Sequence, residues 1–412
     1  MDNIDNGRAS NESYVQNHQA EVTLEKKEEF PEPGLNALKD AIPPSCFQPS
    51  LAISLLYLLR DISYCSILIY SAMKFDSISW PWVRCLAWMC YGFFQGCVGV
   101  GFWILAHECG HGAFSLYPWV NDIIGFTLHS ALLVPYFSWK TTHARHHRYT
   151  SHMGKDTAFV PFTEEEYHDS FSFPFIYRAI MQSTEDAPVV ALAELLIHQL
   201  FGWPMYLLFN VSAGVDSLPS QNAGSSRDKS HFNPFGALFT PSQRLYVLLS
   251  DLGLVVSGCI LVGLCTKFGG QQVFLLYFVP YLWVNHWIVS ITYLHHTHPS
   301  VPHYGDKSWT FVKGSFSTID RTTGLLGRHF FHDIIDFHVV HHLFPKIPFY
   351  RAEEATTAIQ PLLGPYYNEQ KGTSFIGSLF STFCSCKFVS PGPHASPDNN
   401  QDVFKWNIGK VN

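Results

Sequence analysis

From Cys85 to Ala106 the chain runs without one charged residue, and that stretch constrains the fold more than any other feature. A helix needs about 20 apolar residues to cross the hydrocarbon of a bilayer. Every backbone N–H and C=O in that hydrocarbon must be satisfied within the segment, so such a run reads as a helix. Five further segments, 51–73, 119–136, 187–212, 246–265 and 273–294, are candidates of the same kind. Arg60 and Asp61 interrupt the first, and they are expected to neutralise one another or face the protein interior, because unpaired charge in lipid is costly. Of the 412 residues 47% are hydrophobic and 14% charged, too few charges for an ordinary soluble surface.

The net charge of -7 is spread out, and no Lys/Arg-rich block is present to neutralise a run of phosphates, which excludes nucleic acid as an expected partner. Six of the ten cysteines, Cys65, Cys85, Cys90, Cys97, Cys259 and Cys265, lie in apolar segments where a free thiol behaves as a small hydrophobe. No C-x-x-C pair occurs, so a reducing compartment is expected, and Cys384 and Cys386 read as incidental cysteines of a cytosolic tail. The first 32 residues are polar and lack the regions of a secretory signal.

Three domains are expected: a disordered cytosolic arm over 1–45, a membrane domain over 46–365 and a cytosolic tail over 366–412. The arm is acidic and polar, and the tail after Pro391 has a disordered composition. Between the apolar blocks lie histidine-rich stretches at 107–111, 143–147, 295–303 and 329–342. If these share one side of the membrane, segment 119–136 does not cross it. One of the three apolar segments between 147 and 338 must also fail to cross, and 187–212, broken by Glu194, His198, Gly202 and Pro204, is the candidate interfacial helix. The expected fold is an all-α integral membrane protein with about four transmembrane helices, interfacial or re-entrant helices, a cytosolic cap and both termini cytosolic.

His107-Glu108-Cys109-Gly110-His111 puts two imidazoles four residues apart, on one face of a helix. His143-Ala144-Arg145-His146-His147 and His338-Val339-Val340-His341-His342 each repeat a His-x-x-His-His spacing. A lone pair at this spacing is more often decoration than a ligand pair. Two such clusters and a pair, all at membrane boundaries, point to metal. His129, His152, His168, His198, His231 and His286 are expected to be satisfied polar groups or supporting partners. His107-Glu108-x-x-His111 also matches a zinc-protease motif, in which Glu108 would activate water, but that reading needs three ligands and leaves six box histidines unused. A metal transporter would place ionisable residues inside the spans, whereas 85–106 has none and 273–294 only His286. Eight neutral nitrogen donors suit two borderline metals better than magnesium or calcium.

The boxes, in this order, resemble those of the oleate delta-12 and omega-3 desaturases of plants and fungi. The resemblance extends to Ser138-Trp139-Lys140, Val160-Pro161-Phe162, Asn210-Val211-Ser212, Ser230-His231-Phe232-Asn233-Pro234, Ile291-Thr292-Tyr293-Leu294, His296-Thr297-His298-Pro299 and Lys346-Ile347-Pro348-Phe349-Tyr350, covering about residues 45–365. It implies an endoplasmic reticulum desaturase with a di-iron centre in its histidine-box cap, held by His107, His111, His143, His146, His147, His338, His341 and His342, with His296 as a ninth ligand. Dioxygen is the implied co-substrate, a fatty-acyl lipid or acyl-CoA the implied substrate, and cytochrome b5 with its NADH-dependent reductase the implied electron source. Hydroxylases, epoxygenases and acetylenases share these boxes. Two departures bear on that choice: His295 stands where the family usually has glutamine, and Phe337 where it has threonine. Phe337 is read either as positioning the acyl chain or as packing. A substrate tunnel lined by aromatic residues is expected.

Overall fold

The computed structural model describes residues 31–170, 187–219, 226–392 and 402–408. Its helices are α1 (Leu35–Ala41), α2 (Leu51–Ala72), α3 (Pro81–His111), α4 (Pro118–Ala131), α5 (Tyr136–Tyr149), α6 (Glu164–Ser170) and α7 (Pro188–Phe209). They continue with α8 (Arg244–Phe268), α9 (Gly270–His296), α10 (Phe311–Phe316), α11 (His338–Leu343), α12 (Ala352–Leu363) and α13 (Phe375–Ser385). Among the described residues five helices are long and apolar enough to cross a membrane: α2, α3, α7, α8 and α9. The outward faces of α2 and α8 carry Leu56, Ile67, Val255 and Val262, all largely exposed in a way that lipid, not water, would accommodate.

Segment 119–136, expected not to cross if the histidine stretches share one side, is not one helix and is absent from the five candidate spans among the described residues. α4 has 14 residues, about 21 Å of rise against roughly 30 Å of hydrocarbon, and a break at Leu132–Pro135 starts α5 in a new direction. α7 meets the length and composition of a span despite Pro204 inside it.

α3 is the central element. Its 31 residues rise about 46 Å, so its last turns stand beyond a bilayer core. It ends because Gly112 adopts φ 73°, a left-handed cap open to glycine, whose N–H bonds the carbonyls of Glu108 and Cys109. On one face Gly92, Gly96 and Gly99 meet α9. A Cβ at Gly92 would lie 2.7 Å from Val279 Cγ1 and one at Gly99 2.6 Å from Val284 Cγ2, while one at Gly96 would collide with Trp283. This small-residue face lets the two backbones approach closely, as at membrane helix interfaces, and it brings the C-terminal ends of α3 and α9 together.

The main core lies between α3, α7, α9, residues 331–335 and α13, with Trp103, Trp203, Trp287, Phe331 and Phe375 among its buried residues. The buried charge in α2 is resolved as expected and further. Asp61 Oδ1 accepts from Arg60 at 2.9–3.0 Å, and Oδ2 pairs with buried His332 at 2.8 Å.

The two termini need correction. Residues 31–45 are not a structureless part of an arm: α1 buries Leu38 fully, and Leu38, Ile42 and Cys46 pack with Ile359 and Leu363 of α12 and with Val340 and Leu343 of α11. Nor is the described part of the tail structureless. Val403–Trp406 (β5) lies between His303–Tyr304 (β1) and Val389–Pro391 (β4), antiparallel to both. A second, two-stranded ladder runs parallel between Asp320–Arg321 (β2) and Glu369–Gln370 (β3), so the cap is not purely helical. Polar composition hid both segments, because a few apolar side chains suffice to seat a short element on an existing core. Residues 1–30 of the expected arm lie outside the described residues.

Candidate metal centre

Each histidine box is set by the helix that carries it. His107 and His111 occupy the last turn of α3, His143, His146 and His147 face inward from α5, His296 closes α9, and His338, His341 and His342 form α11. Sequence separations of up to 235 residues collapse onto two adjacent groups. His107, His111, His143, His147 and His341 have ligand atoms all within 4.8 Å of one another, as do His146, His296 and His342. His338 joins the second group, its Nε2 lying 3.4 Å from His296 Nε2 and 3.0 Å from His342 Nε2. All nine histidines singled out from the sequence therefore converge.

The spacing within the groups tests whether they suit an ion. Nε2 atoms of His107, His111, His143 and His147 follow one another at 3.3, 3.1 and 3.1 Å. Ring nitrogens about 2.1 Å from a shared cation sit about 3.0–3.4 Å apart. A neutral ring nitrogen either donates or accepts, so a chain of such contacts without a cation forces lone pairs onto one another or protons to be shared. His341 Nε2 is buried without a partner, which a cation at the centre of its group would supply. Burial pushes the imidazoles of His143, His147, His338, His341 and His342 well below the ordinary histidine range, and neighbouring imidazoles push most of them further. Neutral histidines are the ligating form. The donor set fits a metal site.

Partners at the far nitrogens orient the rings. His146 Nδ1 donates to Asp156 Oδ1 at 2.7 Å, with both groups buried, which leaves Nε2 free for an ion. Asp156 is itself fixed by the N–H groups of Ser151 and Ala158 at 3.1 and 2.9 Å. His342 Nδ1 lies 3.0 Å from Thr150 Oγ1. Asp320 accepts the Val339 N–H at 2.8 Å and the Tyr367 hydroxyl at 2.8 Å, anchoring the start of α11, and burial raises its carboxyl to about 7. Asp156, Thr150 and Asp320 carry no mark in the sequence, since they lie outside the boxes at no fixed spacing.

Glu108 does not face the histidine groups as a water-activating base would. Its Oε2 accepts the backbone N–H of Phe349 at 3.0 Å, tying the first box to the chain after the third, and Oε1 stands 3.7 Å from His107 Nδ1. His295 lies against His338, ring centroids 4.2 Å apart, with Nδ1 held 2.5 Å from the Ile319 carbonyl and Nε2 buried without a partner. Phe337 packs in the cap cluster with Leu38, Val340 and Ile347, and the Arg328 guanidinium is 6.0 Å from its ring. That contact supports the packing alternative, and Phe337 also lines a small cavity with Glu108 and His341. His129, His152 and His231 are hydrogen-bonded to Trp103 O, Asp306 and Thr142, and none of the six other histidines weighed from the sequence joins either group. Cys384 and Cys386 are free thiols.

Aromatic rings line the side of the first group that faces the main core. Trp139 stacks on His143 at 4.4 Å and Trp103 on His107 at 5.6 Å.

Comparison with known proteins adds a second line. The family model described as fatty acid desaturase matches residues 80–373. An oleate hydroxylase of Claviceps purpurea is 38% identical over 398 residues, covering 92% of this chain and 82% of the relative. A delta-12 fatty acid desaturase of Mortierella alpina is 37% identical over 375 residues, 90% of this chain and 91% of the relative. An omega-6 fatty acid desaturase of Glycine max, named as an endoplasmic reticulum isozyme, is 40% identical over 355 residues, 86% of each chain.

Proposed function

The chain belongs to the fatty acid desaturase family, and we propose that it converts oleoyl to linoleoyl chains, placing a cis double bond at the delta-12 position with two irons held by His107, His111, His143, His146, His147, His296, His338, His341 and His342. The observation that carries this is the convergence of nine imidazoles in two adjacent groups. Two irons bound there supply dioxygen activation against an unactivated C–H bond, a chemistry that side chains lack. The reaction balances when dioxygen, two electrons, two protons and the two removed hydrogens leave as two waters.

The residues of the chain hold, orient and exclude. Asp156 and Thr150 fix the rings of His146 and His342 from behind, and Glu108 and Asp320 brace the first and third boxes. The acyl chain reaches the site along the aromatic side of the first group, where Trp139 and Trp103 stack on His143 and His107 and Trp203 packs beside them. Close placement of one carbon pair is what selects the bond attacked. Electrons come from cytochrome b5 and its NADH-dependent reductase, and the membrane is the endoplasmic reticulum.

The same convergence supports the proposed topology. α7, α8 and α9 lie between the second box and the third, and three crossings would separate boxes whose His146 and His342 are within 4.8 Å. α7, with Glu194, His198 and Pro204, is the helix that lies along the interface. α2, α3, α8 and α9 cross, and both termini are cytosolic.

Expression in a host that lacks polyunsaturated lipids, followed by gas chromatography of its fatty acids, tests the reading. A new linoleate peak is expected. The similarity to an oleate hydroxylase favours one second reading, hydroxylation of the same chain, and a hydroxy-oleate peak with no linoleate would replace the first reading with it.

A further inference from the structure

At the end of the helices remote from the histidines, a cavity of about 580 Å³ lies between the α2–α3 and α8–α9 turns. α3 and α9 both begin there and end at the histidine groups, so the two sites are separated by about the length of α3. Its lining includes Asp76, Arg84, Trp88, Phe268, Gln271 and Gln272. Neither Arg84 nor Asp76 makes an ion pair or side-chain hydrogen bond among the described residues, although both line the same space. The nearby cations Lys74 and Lys267 lie over the rings of Tyr70 and Phe268.

An exposed carboxylate, Asp76, and a half-buried guanidinium, Arg84, line one open cavity, which therefore offers opposite charges to a ligand that carries both. We propose that this cavity binds the headgroup of a zwitterionic phospholipid. The phosphodiester sits on Arg84, whose planar fork suits phosphate oxygens, with the amides of Gln271 and Gln272 as further donors, and the ammonium faces Asp76. An anionic lipid would satisfy Arg84 and repel Asp76. The depth is right for a headgroup: Trp80 and Trp82 flank the start of α3, each 66% exposed, as tryptophans of a membrane–water boundary are. Exposed Leu86 and Met89 on α3 and Phe268 on α8 offer the adjoining apolar surface for the acyl chains. The site rests on none of the desaturase chemistry.

The test uses the full-length protein in detergent, delipidated and then offered equal amounts of dipalmitoyl phosphatidylethanolamine and dipalmitoyl phosphatidylglycerol, with bound lipid counted by native mass spectrometry. The saturated chains avoid an oleoyl substrate. The wild type should retain one phosphatidylethanolamine in preference to phosphatidylglycerol. Arg84→Gln should weaken retention about tenfold or more, Arg84→Lys should weaken it less than Arg84→Gln because it keeps the charge without the fork, and Asp76→Asn should erase the preference while retaining lipid. Soluble glycerophosphoethanolamine at the same concentration should not displace the lipid. Unchanged retention in Arg84→Gln, a wild-type preference for phosphatidylglycerol, or full displacement by the soluble headgroup would each overturn the proposal.

Discussion

Replacing Asp156 by asparagine isolates what one carboxylate behind a ligand contributes. The side chain keeps its size, so nothing is lost from the packing. Asp156 Oδ1 receives the Nδ1–H of His146 at 2.7 Å and the N–H of Ala158 at 2.9 Å, and Oδ2 receives the N–H of Ser151 at 3.1 Å. An asparagine oxygen can serve His146 and Ala158, but its amide nitrogen then faces the Ser151 N–H, donor against donor. The charge-assisted bond to His146 falls to an ordinary one, and a buried N–H loses its acceptor. Together these are worth about 1.4–3 kcal/mol, or roughly 10- to 100-fold in metal affinity. The assay is iron retained by the purified variant after dialysis against graded chelator, with membrane protein level as the folding control. His146→Ala should lose iron outright. An Asp156→Asn protein that gives up its iron at the same chelator concentration as the wild type would refute the role assigned to Asp156.

Glu108→Gln should keep product formation within about tenfold of the wild type, because the amide oxygen still accepts the Phe349 N–H; complete loss of product with iron retained, measured by gas chromatography and metal analysis, would restore a base-like role. Phe337→Thr should lower thermal stability by about 2–4 kcal/mol, since it empties part of the cap cluster, yet leave the ratio and position of products unchanged, and a shifted product profile would move Phe337 to the substrate path. For Asp320 the carboxyl is raised by burial from its ordinary range to about 7, so the stability it contributes is full below about pH 4 and is lost as pH rises through about 7. The wild type should therefore lose stability relative to Asp320→Asn between those limits in thermal unfolding scans, and parallel curves would contradict it.

The boxes were legible because helical periodicity places residues three and four apart on one face, so spacing alone predicts which rings point together. His296 became legible through its place at the end of an apolar segment. Asp156 and Thr150 were not legible, because they meet their histidines through the loop and turn that follow α5. The direction of Glu108 was equally hidden, being set by the backbone of Phe349, 241 residues away. Hydropathy located the long helices but merged α4 with the start of α5, since an apolar run does not record a change of direction. α1 and β5 were missed because their burial depends on the cap surface they lie against, not on their own composition.

Metal analysis of the purified, active protein tests the central claim most directly. Nine converging imidazoles in two groups predict about two irons per chain with little zinc, falling together with activity in His146→Ala and His341→Ala while the protein stays in the membrane. One tightly bound zinc per chain and no iron would contradict it.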